Sequence, residues 1–264
     1  MYATSYVLEQ LTAHIVRHTQ PDNFGVLRFK LLIIMQKTSA VVLGGSGNVG
    51  KEAVKALVAS GFYERIALVS RRPLPELENL HPSIKVVVCD LDAMESTLNF
   101  SGYAAAVMAI GTGKASTVSK DELYHIDTII PFNFARKCKA DGVQHMTILS
   151  VVGADSTATY SSVTKSAAGF GWYNHCKGRA EELIAGVGFQ SLSVFRPAAI
   201  VGNSNTPGFV SWLFPKIDWM LPSKYQSIST VELGTRMVKA LNQQVRGEWS
   251  GYRVYEGANL HEPL

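Results

Sequence analysis

Cysteine, charge and long apolar runs are all scarce in this chain, and each scarcity closes off a class of protein. The 264 residues hold three cysteines, Cys89, Cys138 and Cys176, none of them in a CxxC pair. Neither a disulfide framework nor a zinc site fits that spacing, so no metal is expected and free thiols suit a reducing compartment. Charged residues make up only 17% of the chain, and the formal net charge is +4. No run of Lys and Arg and no finger or recognition-helix motif occurs, so nucleic acid is not an expected partner. The nearest candidate for a membrane span, "FGVLRFKLLIIM" at 24–35, is short and broken by Arg28 and Lys30, which excludes a transmembrane segment there. The first residues lack the layout of a secretory signal. A cytoplasmic protein is the expectation, or a mitochondrial one if residues 1–36 act as a targeting extension.

What the chain does have is a regular alternation from Lys37 onward. "TSAVVLGG" (38–45), "RIALVS" (65–70), "IKVVVCD" (84–90), "YAAAVMAIG" (103–111), "HMTILS" (145–150) and "SLSVFRP" (191–197) read as buried strands. Helical patterns lie between most of them, notably 48–60, 119–140 and 171–187. Apolar strands alternating with helices predict an α/β fold, a doubly wound parallel sheet covered on both faces. No linker interrupts it, so 37–264 is expected to be one domain behind the 1–36 extension. Within it, 198–264 is expected to contribute a small substrate-side lobe. That segment carries the aromatic cluster "GFVSWLFPKIDWMLP", a helix near 229–243 and a strand-like "YRVYEG".

The first strand runs into "LGGSGNVGK" and then the first helix. This satisfies GxGxxG through Gly45, Gly47 and Gly50, and GxxGxxG through Gly44, Gly47 and Gly50, with Ser46, Asn48 and Val49 between them. Glycines there allow a tight turn, close approach of a pyrophosphate to backbone N–H groups, and packing of helix on strand, while the helix N-terminus faces the phosphates. Strand, loop and helix in that order predict a dinucleotide site. Strand two ends in Ser70, Arg71 and Arg72, with no carboxylate, whereas Glu64 lies at the wrong end of the strand. Two guanidinium groups suit a ribose 2′-phosphate, so the expected cofactor is NADP(H). Asp90 and Leu91, after strand three, are expected near the adenine.

The stretch "GFGWYNHCKGRAEELI" (169–184) sets Tyr173 and Lys177 one helical turn apart, on one face. A neighbouring ammonium is expected to lower the phenol's pKa, fitting Tyr173 to exchange a proton with a carbonyl or alcohol. The lysine can also donate to a nicotinamide ribose.

Taken together, "VVLGGSGNVGKEAVKAL", "AIGTGKAS", "ILSVVGAD", "YNHCKGRAEELI" and "SVFRPAAIVGN" resemble the atypical short-chain dehydrogenase/reductases, in the Tat-interacting-protein-like branch, over residues 37 to about 245. The resemblance implies a Rossmann-type fold, NADP(H) binding, and hydride transfer with Tyr173 as acid/base and Lys177 as its partner. It implies that Gly44, Gly47, Asn48 and Val49 line the pyrophosphate, that Ala109, Ile110 and Gly111 lie under the cofactor, and that Arg196 and Pro197 follow strand six. Ser150 stands near the family's catalytic serine, followed by Val151 and Val152. Where the wider superfamily has an asparagine on its fourth helix, "YHIDTI" supplies His125 and Asp127. The expected substrate is a small carbonyl compound or alcohol. The alternative is a regulator that binds NADP(H) without catalysis and acts on a protein partner. The polar stretch between Ser150 and Tyr173 is expected to act as a lid.

Overall fold

A computed structural model of the chain describes residues 38–113, 117–158, 170–202 and 222–264. The 1–36 extension, most of the expected lid and the aromatic cluster lie outside the described residues. Seven parallel strands form the main sheet. Its first half is β1 (Thr38–Leu43), β2 (Tyr63–Ser70) and β3 (Ile84–Val88). The second half is β4 (Ala105–Met108), β5 (His145–Leu149), β6 (Ser191–Arg196) and β9 (Gly251–Glu256). Their order across the sheet is β3-β2-β1-β4-β5-β6-β9. A separate parallel pair joins β7 (Ala199–Val201) to β8 (Ser227–Ser229).

Alternation along β1 sorts the core into two layers. Ala40 and Val42 face α1 (Asn48–Ala59) and α7 (Thr230–Val245), together with Leu57, Phe195, Leu233 and Met237. Val41 and Leu43 face the other way, toward α5 (Ile130–Ala140) and α6 (Phe170–Ala185), with Phe134, Met146 and Ile184. Both faces are covered, which is why the strands read as apolar runs. Two one-turn helices, α2 (Pro75–Glu78) and α3 (Met94–Thr97), carry the chain from β2 to β3 and from β3 to β4. The two helices on the first face cross closely because α7 places Gly234 there: a Cβ on it would lie 2.7 Å from Ala53 N. Ser229 caps α7, accepting from Glu232 N at 3.0 Å.

The structure departs from the sequence pattern in two places. The helix expected over 119–140 is divided into α4 (Lys120–Tyr124), a π-helical turn (His125–Ile129) and α5. Pro131 supplies the reason: it has no N–H for the carbonyl of Asp127 four residues back, and its ring would collide with that carbonyl in a regular helix. The second departure is at the end of the chain. "YRVYEG" is not a separate strand of a lobe; it forms β9 and pairs with β6 from Ser191↔Gly251 to Arg196↔Glu256. The helix before it is α7, which covers the sheet.

Register sets the place of the site. Leu43, the last residue of β1, is level with Val69 of β2 and Met108 of β4. Successive connections leave β1 toward β2 and then cross back to β4, so the strand order reverses between them. Ligands in open α/β sheets bind outside the carboxyl ends of the strands at that point.

Candidate nicotinamide-dinucleotide site

At the reversal, β1 enters the loop that opens α1. Gly44 has φ +90°, and a Cβ on it would lie 2.5 Å from Ala109 C. A Cβ on Gly50 would lie 2.0 Å from Gly44 O, and one on Gly47 would lie 3.3 Å from the same oxygen. The turn is closed by Gly47 N donating to Gly44 O at 3.0 Å. Gly45 has room for a side chain: a Cβ there would meet nothing nearer than 3.5 Å. Of the two overlapping glycine patterns, GxxGxxG through Gly44, Gly47 and Gly50 is therefore the one the packing requires. No acidic side chain occupies the first turn of α1, which leaves the positive end of its dipole available to an anion.

Two cavities meet over this loop. One, of about 430 Å³, is walled by Gly44, Ser46 and Gly47 of the loop, by Ser70, Arg71 and Arg72 after β2, by Leu91, and by Ala109 to Gly111. Both arginines are exposed, and no carboxylate is among its described lining residues. Glu64 is at the amino end of β2, as expected. Leu91 is buried against this cavity, but Asp90 is not in its wall: the Asp90 carboxylate is exposed and accepts from Asp92 N at 3.1 Å.

The second cavity, of about 480 Å³, shares Gly47 and residues 109–111 with the first. It adds Asn48, Val49, Ser150, Tyr173, Lys177 and Pro197. β4 stops at Met108 because the chain peels away after Ala109 N donates to Leu43 O at 2.9 Å. The peptides of 109–111 thereby become a common floor. Lys177 is buried, its Nζ 2.7 Å from Oδ1 of the fully buried Asp127, and it donates to Ile110 O at 3.3 Å. The same ammonium lies 5.9 Å from the centre of the Tyr173 ring. Burial works against the charge on Lys177, yet the Asp127 carboxylate and its other neighbours outweigh it, so its pKa is raised. For Tyr173 the expectation is overturned. Burial raises the phenol's pKa, and although Lys177 pulls it down, Asp127 opposes that pull. Tyr173 is held as a neutral phenol.

Among the described residues no group of three or more His, Cys, Asp or Glu is placed to hold a metal. Likewise, none of the described helices is long and apolar enough to cross a membrane. Residues 44–213 match the family described as NAD(P)H-binding. The chain belongs to that family. Within it, the chain is an atypical short-chain dehydrogenase/reductase of the type represented by protein HTATIP2 of Rattus norvegicus. That protein is 26% identical over 85% of this chain and 88% of its own. The mitochondrial protein FMP52 of Candida glabrata is 29% identical over 74% of this chain and 78% of its own. Among solved structures, the Bordetella bronchiseptica enzyme WbmH in complex with NAD+ superposes with a TM-score of 0.60 at 14% identity, over 83% of this chain and 75% of that one. That likeness is one of fold.

The glycine cradle, the exposed helix end and the shared floor fit the nicotinamide dinucleotide of an NAD(P)H-binding protein. Two sequence candidates are turned to other work. Arg196 does not wall either cavity; its guanidinium chelates Glu181, with Nη2 at 2.5 Å, and reaches Glu256 at 3.2 Å. Ser150 does wall the second cavity, but its hydroxyl donates to the buried Glu181. Asp127 and Glu181 are the residues that sequence reasoning missed as parts of the site. Asp127 lies in "YHIDTI", where the resemblance finds no clear equivalent of the superfamily's asparagine, and its pairing with Lys177 is the part that no local pattern showed. Glu181 lies four residues after Lys177 on α6, and nothing local distinguishes it from a solvated helix carboxylate.

Proposed function

We propose that the protein is an NADP(H)-dependent oxidoreductase that reduces a small carbonyl compound. The observation that carries this reading is Tyr173 and Lys177 lining one cavity with the α1 N-terminus and the 109–111 floor. The nicotinamide cofactor, when bound, supplies the hydride. The chain's own residues do the rest. Gly44, Gly47 and the first turn of α1 would hold the pyrophosphate, and Arg71 and Arg72 would receive a 2′-phosphate. Tyr173, a protonated phenol, would donate its proton to the carbonyl oxygen as the alcohol forms. Lys177, fixed by Asp127 and Ile110 O, has a third N–H that would be free to hold a ribose hydroxyl of the cofactor. Because the Ser150 hydroxyl donates to Glu181, it has no hydrogen left to polarise a substrate carbonyl, and that task falls to Tyr173.

The test is a carbonyl panel assayed with NADPH, followed by Tyr173→Phe on any substrate turned over. That change keeps the ring and removes only the hydroxyl. Turnover should fall by about 10²–10⁴-fold while NADPH affinity stays within a factor of about two. Full activity in Tyr173→Phe would defeat the acid/base assignment. The engagement of the Ser150 hydroxyl by Glu181 favours a second reading, a cofactor-binding regulator without catalysis. A chain that binds NADPH and reduces nothing across the panel would support it.

A further inference from the structure

Lys177 on α6 and Asp127 on the π-helical turn meet at the loop that leaves β4, and their pairing is built in by the backbone of that loop. The carboxylate is fully buried, with Oδ1 2.7 Å from Lys177 Nζ and Oδ2 accepting from Thr112 N at 2.9 Å. The ammonium donates to Ile110 O. Between those two peptides stands Gly111, where a Cβ would lie 2.9 Å from Asp127 Oδ1 and 3.1 Å from Lys177 Nζ. Any side chain at 111 would push into the pair. The π-helical turn that Pro131 imposes is the segment that carries Asp127.

On this basis, and resting on the reading of Tyr173 and Lys177 as the acid/base centre, we infer that Asp127 is a positioning residue. It clamps the lysine to the cofactor floor and cancels the charge that would otherwise draw the proton from Tyr173. Among the described residues, three ionisable groups face Tyr173 and Lys177. Asp127 faces them from the π turn; Cys176 and Glu181 face them from α6. The Cys176 thiol is pushed up to about 12, chiefly by burial, so it is neutral. Glu181 is spent on Arg196 and Ser150. Asp127 is thus the counter-ion, and a buried ammonium without one is strongly unfavourable. The phenol then stays a proton donor across the neutral range, which suits reduction of a carbonyl.

The experiment follows the Tyr173 ring by NMR in the full chain labelled with 13C at tyrosine Cζ, the signal assigned by its loss in Tyr173→Phe. In the native chain the signal should begin to titrate only above about pH 10, the ordinary tyrosine value. In Asp127→Asn the lysine loses its counter-ion, and the phenol should titrate lower by about 1–3 units. An unmoved titration would overturn the inference. Should Asp127→Asn not fold, Gly111→Ala makes the same test with both charges kept: the methyl separates them, and a lowered titration supports the clamp while an unchanged one refutes it. The NMR readout needs no turnover. If the titration moves but no carbonyl is reduced, the clamp stands and the enzymatic reading falls. If reduction depends on Tyr173 but the titration stays put, the clamp falls and the enzymatic reading stands.

Discussion

Arg71 and Arg72 differ from Arg196 in being exposed on the wall of a cavity, whereas Arg196 is consumed by two carboxylates. A guanidinium–phosphate hydrogen bond is a charge-assisted one, worth about 1.5–3 kcal/mol. Replacing both arginines with Ala should therefore remove about 3 kcal/mol or more and weaken NADPH by roughly 100-fold or more, with NADH changed by less than about threefold. Isothermal titration of the two cofactors checks this. Equal affinity for NADPH and NADH in the native chain would mean that the two guanidinium groups do not read a 2′-phosphate. The same scale shows what local sequence can and cannot convey. Gly44, Gly50, Tyr173 and Lys177 announced themselves because their chemistry is local: a backbone approach, or two side chains one turn apart. Asp127 did not, because its partner Lys177 lies beyond a strand and across a crossover.

Among the elements, α6 and the loop after β5 are fastened to each other more tightly than any pattern in the chain suggests. Asp155 N donates to Asn174 O at 3.1 Å, and a Cβ on Gly178 would lie 2.3 Å from Asp155 C and from Ser156 N. Gly178 follows Lys177, so the helix turn that carries the lysine is pressed directly on backbone. Gly178→Ala gains about 1 kcal/mol in helix propensity but forces backbone apart, at the upper end of the usual overpacking cost of about 3 kcal/mol. The net loss, about 2 kcal/mol, should lower the melting temperature by roughly 4–8 °C, measurable by calorimetry. A melting temperature equal to or above the native one would mean that the loop yields freely. The strands themselves were legible because two-sided burial writes them as apolar runs. The division of the 119–140 helix was not read from periodicity, since three helical segments in series keep nearly the same apolar stripe. β9 looked like part of a separate lobe because an edge strand, "GYRVYE", is largely exposed along its length.

For the molecule as a whole, residues 38–264 form one compact unit, with the boundary after Lys37. Every residue placed at either cavity lies within it. A chain starting at Met35 should therefore fold and bind NADPH with an affinity within a factor of about two of the full chain. Fluorescence titration with NADPH checks this; a folded but non-binding short chain would tie the extension to the site. The cavity positions were legible from the order of strands and the glycine loop, whereas the polar network behind them was not. Ser150, Glu181, Arg196 and Glu256 come from four separate segments and meet only when the sheet is complete.

That last meeting has a consequence for how the protein is made. α1, which presents the phosphate loop, is packed by α7, and Arg196 receives its second carboxylate from Glu256 in β9. At ordinary synthesis rates the stretch from Arg196 to Glu256 takes roughly 3–12 s to emerge. Until α7 (Thr230–Val245) has emerged, the apolar face of α1 that it packs lacks its cover. The loop that recognises a nucleotide is thus made long before the helix that packs the element presenting it.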